Sequence, residues 1–249
     1  MAVHILTGEK DFIIFAIVIE KIFDVSVGGF FDPNNEIIFS LRPDLVITLG
    51  EQEAERRYLA NLGVPTLEVN HKSIAGILDS LTTIGEVCRI SGAARALRKD
   101  LESVVRRMRN ARASLPRERV LVAVGGNQYD GMLTHLFVSG RDGYYDEMLE
   151  IVGGENVYRG STAGLPSLSK EGLIALNPQV IIQIGSENDG VRVEPEAIRK
   201  AWLGLEMIAA VRNKRVHVFT QDFASVPGPR FVNLLEEFAK VVHPEAGHE

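Results

Sequence analysis

The sequence has one cysteine, Cys88, among 249 residues. One thiol cannot close an intrachain disulfide or build a cysteine-based metal site. An excess of positive charge is also missing. The formal net charge is −6 and the pI is near 5.6, so no basic face is available to replace the counterions of a polynucleotide. No nucleic-acid partner is therefore expected. No apolar run approaches the roughly 20 residues that cross a bilayer. Phe12 to Ile19 is too short, and no small-residue cleavage site follows it, so it reads as a buried strand. The six histidines, His4, His71, His135, His217, His243 and His248, show no metal-ligand spacing. No HExxH, P-loop or nucleophile elbow occurs. Gly125-Gly126-Asn127 could approach a phosphate, but it lacks the GxGxxG spacing and reads better as a turn.

What is present is ordinary for a folded α/β chain: 45% hydrophobic and 24% charged residues. The longest uninterrupted pattern is Ser91 to Leu115. It holds no proline, and Ala94, Leu97, Leu101, Val104, Met108, Ala111 and Leu115 recur at threes and fours. That spacing marks one helix face. Ser91 is positioned to cap the helix and Pro116 to close it. Its opposite face is rich in arginine, which a solvated surface explains.

Strand and helix alternate on both sides of this helix. Before it, strands are expected at Ile13–Ile19, Val25–Val27, Leu45–Leu49 and Thr66–Val69. Helices are expected at Asn35–Leu41, Gln52–Leu62 and Ser73–Arg89. After it, strands are expected at Arg119–Val124, His135–Val138, Val180–Ile184 and Arg215–Phe219. Helices follow at Tyr145–Val152, Ser169–Leu176, Pro195–Ala210 and Gly228–Val242. The alternation implies mostly parallel sheets covered by helices.

A repeat organises the two halves. EIIFSLRPDLVITLG, Glu36 to Gly50, has the same plan as EGLIALNPQVIIQIG, Glu171 to Gly185. Each runs from a glutamate through a short helix to Leu-x-Pro, an apolar strand and a glycine, with every offset kept. Two units of one design joined by a single helix imply three segments: an N-terminal lobe, residues 1–90; a bridging helix, 91–115; and a C-terminal lobe, 116–249. A ligand cleft would lie off the carboxyl ends of the strands.

VGGFFDPNNEIIFSLRPDLVITLG, FVSGRDGYYDEMLEIVGGENVY, LPSLSKEGLIALNPQVIIQIG and TQDFASVPGPR, in that order, resemble the substrate-binding proteins of ABC importers for cobalamin and iron–siderophore complexes. The resemblance runs from about Val27 to the C-terminus. It implies a two-lobe α/β fold bridged by one long helix, a type III periplasmic binding protein, and not an enzyme. It also implies a periplasmic or cell-surface location with the leader absent from this chain. The partners implied are the permease subunits of an ABC transporter and a small-molecule metal chelate. The protein itself needs no cofactor, since iron or cobalt would arrive with the ligand. A monomer is expected. Family members carry a further strand and helix before the region of Val25, so the N-terminal lobe is expected to be shortened.

Carried over by position, Phe30 and Leu165 would face the ligand, with Asp222 and Phe223 on the last loop. Cobalamin binders favour an aromatic at both of the first two positions. Leu165 departs from that pattern, and Val226 replaces a ligand-contacting arginine, which favours an iron–siderophore over cobalamin. Tyr129, Arg141, Tyr144 and Tyr145 add cation and phenol chemistry suited to an anionic iron chelate. Glu36 and Glu171 match the family's permease-docking carboxylates, although both also sit where a helix start favours an acid. Three other readings are cobalamin itself, an α/β enzyme acting on a nucleotide or sugar, and bare zinc or manganese held by His71, His135 and Asp222.

Overall fold

The computed structural model describes residues 4–6, 27, 33–129, 132–163, 166–185 and 195–246. The expected strand Ile13–Ile19, Val25, Phe30 and Leu165 lie outside them. The chain divides into two compact units, Met1–Ala96 and Leu97–Glu249, and the division falls inside the long helix.

Among the described residues of the first unit a three-stranded sheet orders β1 (His4–Leu6), β2 (Leu45–Leu49) and β3 (Thr66–Val69). β1 is antiparallel to β2, and β2 is parallel to β3. β2 alternates between two covered faces, as a period of two requires. Val46 packs with Ile38 of α1 (Asn35–Ser40) and Leu59 of α2 (Glu53–Asn61). Ile47 packs with Val69 and with Ile84 of α3 (Ile74–Val87). Val27 is buried against the first cluster without being in a strand; its carbonyl accepts from Asn34 N–H at 2.7 Å.

The long helix α4 is one unbroken run, Ser91–Arg112. It differs from expectation at both ends. Ser91 is the first helical residue rather than the cap, and its hydroxyl donates to the Gly85 carbonyl. The cause is a tight turn: Arg89 is left-handed and Ile90 N–H returns to Gly85 at 2.8 Å. Gly85 permits this, because a Cβ there would lie 2.3 Å from the Ala94 side chain. At the other end, Ala113 and Leu115 bond three residues back. The last turn tightens and unwinds before Pro116 rather than at it.

Among its described residues the second unit carries a six-stranded mixed sheet. Its strands are β4 (Glu118–Tyr129), β5 (Met132–Val138), β6 (Gly154–Asn156), β7 (Ser167–Leu168), β8 (Val180–Ile184) and β9 (Val216–Phe219). The order is β7-β5-β4-β8-β9, with β6 also on β4. β4 is parallel to β6 and β8, and β8 to β9. The β4–β5 and β5–β7 pairs are antiparallel, so parallel pairing is less dominant than expected. β4 does not stop at Gly125-Gly126-Asn127. The ladder shifts register between Ala123 and Gly126, where Gly125 has φ +129°, and continues into a hairpin with β5. This is a bulge, and neither a turn nor a phosphate loop.

The helices of this unit are α5 (Tyr144–Ile151), α6 (Lys170–Leu176), α7 (Pro195–Lys200), α8 (Ala209–Arg212), α9 (Asp222–Ser225) and α10 (Phe231–Val242). The single helix expected over Pro195–Ala210 is broken into α7 and α8. Gly204, at φ +85°, turns the chain, and Trp202 enters the core to donate to Gln183 Oε1 at 2.7 Å. α10 starts at Phe231 rather than Gly228, after a turn closed by Phe231 N–H on the Gly228 carbonyl.

The repeat survives in three dimensions. Asn34 and Ser169 cap α1 and α6, accepting from Ile37 and Gly172 N–H. Arg42 and Asn177, each just before the proline, are left-handed at φ 47° and 40°. Pro43 and Pro178 are buried, and β2 and β8 begin two residues later. Both strands then pick up a parallel neighbour in the same way: Val46 N–H bonds the Pro65 carbonyl and Ile181 N–H the Arg215 carbonyl, each at 2.9 Å.

The left-handed residue costs about 1–2 kcal/mol when it is not glycine. Asn177 offsets this by accepting Ala209 N–H on its side chain at 2.8 Å, and Arg42 has no such bond among the described residues. Arg42→Gly should therefore raise stability by about 0.5–1 kcal/mol, whereas Asn177→Gly should lower it by about 1 kcal/mol. Urea unfolding of the two variants checks the opposite signs; the same sign in both would refute this account of the joint.

Candidate functional site

The candidate residues of the second unit sit on two loop systems. The first follows β5. Ser139 and Gly140 leave the sheet, and their carbonyls accept from the buried Asn156 side chain at 2.9 and 3.3 Å. Gly140 N–H donates to Thr162 Oγ1 at 3.0 Å, and Arg141 N–H to the Gly160 carbonyl at 3.0 Å. Asp142 completes the clasp. Its carboxylate accepts from Ser161 Oγ and Thr162 N–H, both at 2.5 Å. These bonds from the Ser161 hydroxyl and the Thr162 backbone hold its pKa at about 2. The glycine is obligatory, since a Cβ on Gly140 would stand 2.3–2.4 Å from backbone atoms of Gly160, Ser161 and Thr162. Segment 139–143 is thus locked to segment 160–162, which leads into the stretch that carries Leu165.

Arg141 is exposed on this clasp and forms no ion pair with a described residue. Tyr144 is buried, its hydroxyl has no partner among the described residues, and burial pushes its pKa up. Tyr145 stacks against Phe238 and donates its hydroxyl to the Ala224 carbonyl at 2.7 Å. That bond joins the first loop system to the second. Burial raises the Tyr145 pKa as well, so it stays a neutral donor.

The second system follows β9. Asp222 opens the short helix α9, and its Oδ1 accepts from Phe223 N–H at 2.8 Å. Its Oδ2 takes an ion pair from Arg230 at 2.7 Å. Burial pushes the Asp222 pKa up, but the Arg230 bond and charge and the Phe223 N–H outweigh it, and the carboxyl titrates below its ordinary value. Arg230 is the residue that sequence reading missed. Val226 does lack the expected cation, but four residues later the chain turns at Gly228 and returns an arginine to Asp222. The signal was in TQDFASVPGPR, whose Pro-Gly-Pro predicts a reversal.

The remaining candidates are dispersed or undescribed. Phe30 and Leu165 lie outside the described residues, and so does the side chain of Tyr129, which ends β4. His71 bonds Ser80 Oγ at 3.0 Å in the first unit, and the His135 side chain is undescribed. Among the described residues no group of three His, Cys, Asp or Glu could hold a metal. Among the described residues, open grooves within single units lie beside Phe39 and Pro43 and between Met108 and Ala239; neither is lined by a ligand candidate. Glu36 and Glu171 are both exposed in the first turn of their helices. Glu171 is hydrogen-bonded to its own N–H and to Ser169, which lowers its pKa.

The clasp gives a direct expectation. Gly140→Ala must push two backbone segments apart and should cost about 1–3 kcal/mol in urea unfolding. A wild-type midpoint would refute the packing. Asp142 has a depressed pKa, so its contribution is complete above the unfolded value of 3.8 and is lost as pH falls towards about 2. Asp142→Ala should flatten the stability profile between those two values, and an unchanged acid slope would show that the carboxylate carries nothing.

Comparison with known proteins agrees with this architecture. The periplasmic binding protein family model matches residues 19–222. An uncharacterised ABC transporter substrate-binding lipoprotein of Bacillus subtilis is 25% identical over 239 residues, covering 93% of this chain and 70% of that protein. A vitamin B12-binding protein of Salmonella choleraesuis is 29% identical over 163 residues; the match covers 65% of this chain and spans only 59% of that relative's length. The crystal structure of a periplasmic heme binding protein from Pseudomonas aeruginosa superposes with a TM-score of 0.75 at 25% identity, covering 89% of this chain and 80% of that one. These relatives are binding proteins and not enzymes. Repeat, sheet order and long helix are thus accounted for together: the chain belongs to the periplasmic binding protein family.

Proposed function

We propose that the protein is the substrate receptor of an ABC importer and that its ligand is an anionic metal chelate of the ferric siderophore kind. The observation that carries the ligand class is Arg141. It is the exposed cation of the loop clasp and is not ion-paired with a described residue, whereas Asp222 is already neutralised by Arg230. An exposed guanidinium without an ion pair to a described residue, although its charge also acts on the nearby Asp146, suits carboxylate, catecholate or hydroxamate oxygens. Phe223, half-buried beside Asp222, offers apolar contact. Tyr145 serves by fixing the two loops to each other rather than by meeting the ligand. Phe30, Leu165 and Tyr129 complete the proposed set.

Glu36 and Glu171 are proposed to dock on paired permease arginines, one acid from each unit. No described helix is long and apolar enough to cross a membrane; a receptor of this kind works outside the cytoplasmic membrane, as a monomer.

A second reading is favoured by one of the relatives. The likeness to a vitamin B12-binding protein supports cobalamin, whose broad faces would use apolar contacts more than Arg141.

Thermal-shift titration with ferric siderophores, haem and cyanocobalamin separates the readings. Tryptophan fluorescence is a poor substitute, because Trp202 is 2% exposed and lies in the core. A ferric siderophore at about 100 times its Kd should stabilise the protein by about 2.7 kcal/mol. Arg141→Ala should weaken that binding by about tenfold or more without changing the unliganded melting point. A response to cobalamin alone, unaffected by Arg141→Ala, would overturn the ligand assignment.

A further inference from the structure

The two copies of the repeat agree in burial as well as in sequence pattern. Residues 35–41 and 170–176 show the same succession of half-buried, exposed and buried positions. Ile38 and Leu173 face the core at corresponding places. The next position in each copy is a large apolar side chain turned to solvent: Phe39 at 52% exposure and Ile174 at 36%. The residue after it is small, Ser40 or Ala175. Three residues earlier stands the exposed acid, Glu36 or Glu171, and residues three apart share a helix face. Neither acid is ion-paired with a described residue.

A single exposed apolar side chain needs no explanation. Recurrence at the same position, one turn from the same acid, is different. Core packing does not require it, because the core position is already filled by Ile38 or Leu173. The first unit adds a receiving shape, for Phe39 forms one wall of an open groove with Ser40, Arg42, Pro43 and Val64.

We propose that each unit docks through a two-part element, an acid and an apolar side chain one helical turn further on: Glu36 with Phe39, and Glu171 with Ile174. The partner surface is the importer's permease, presenting an arginine with an apolar side chain or pocket beside it. This rests on the docking role proposed above and adds the residues that hold the complex once it has formed. The two parts have separable duties. Exposed charges steer and orient association and are screened by salt. An apolar anchor that is desolvated on contact governs dissociation. It also dries the neighbouring ion pair and so strengthens it.

The test measures association and dissociation of the full-length chain on its cognate importer in lipid nanodiscs, at low and high salt. Phe39→Ser with Ile174→Ser should speed dissociation by roughly tenfold to a hundredfold. Association rate and its salt dependence, melting point and chelate affinity should stay as in the wild type. Phe39→Leu with Ile174→Leu should restore slow dissociation. Glu36→Gln with Glu171→Gln should instead slow association and flatten its salt dependence. Wild-type dissociation of the serine pair, with the glutamine pair impaired, would overturn the apolar anchor and leave acid docking standing. Wild-type behaviour of both pairs would overturn the docking role and the anchor with it.

Discussion

The joint between helix and strand at a buried proline is the constraint on which both units depend. A short capped helix has to end, reverse direction and deliver its chain into a sheet within four residues. Arg42 and Asn177 accomplish this by turning left-handed just before Pro43 and Pro178. The strand that follows is covered on both faces in the first unit and fully buried in the second. The same geometry fixes where the helix begins, and so carries Glu36 and Glu171 to exposed first-turn positions. Fold and candidate docking residues are therefore set by one local device used twice.

Much of this is legible in the sequence, for a physical reason. β2, β3 and β8 fall at the bounds that their apolar runs and flanking Gly or Pro predict. α1, α2 and α6 fall within a residue or so of theirs. In each case a local signal, a cap, a proline or a glycine, coincides with the tertiary boundary. The misses occur where tertiary contact overrides the local signal. Ser91 looks like a cap, but Gly85 lets the preceding helix come so close that the turn ends one residue earlier. Gly125 looks like a strand end, but its partner strand continues and a bulge absorbs the extra residue. The helix expected up to Ala210 breaks because Trp202 finds a buried hydrogen bond to Gln183.

The candidate site divides along the same line. Residue types suited to a chelate could be read from the sequence, and so could the loops that carry them. Their partners could not. Asp222 meets Arg230 only because a Pro-Gly-Pro turn folds the chain back, and Tyr145 meets the Ala224 carbonyl across 79 residues of sequence. Asp142, absent from the sequence-based candidates, orders the loop through Ser161 and Thr162. These pairings decide which charges are balanced among the described residues, where Arg141, on which the ligand assignment turns, has no ion-pair partner.

The measurement closest to the central claim is calorimetric titration of the purified chain with a ferric siderophore, followed by mass spectrometry of the ligand recovered from the complex. The account predicts saturable one-to-one binding and recovery of the chelate intact, with its iron. Absence of binding to any ferric chelate, or recovery of a chemically altered one, would contradict it.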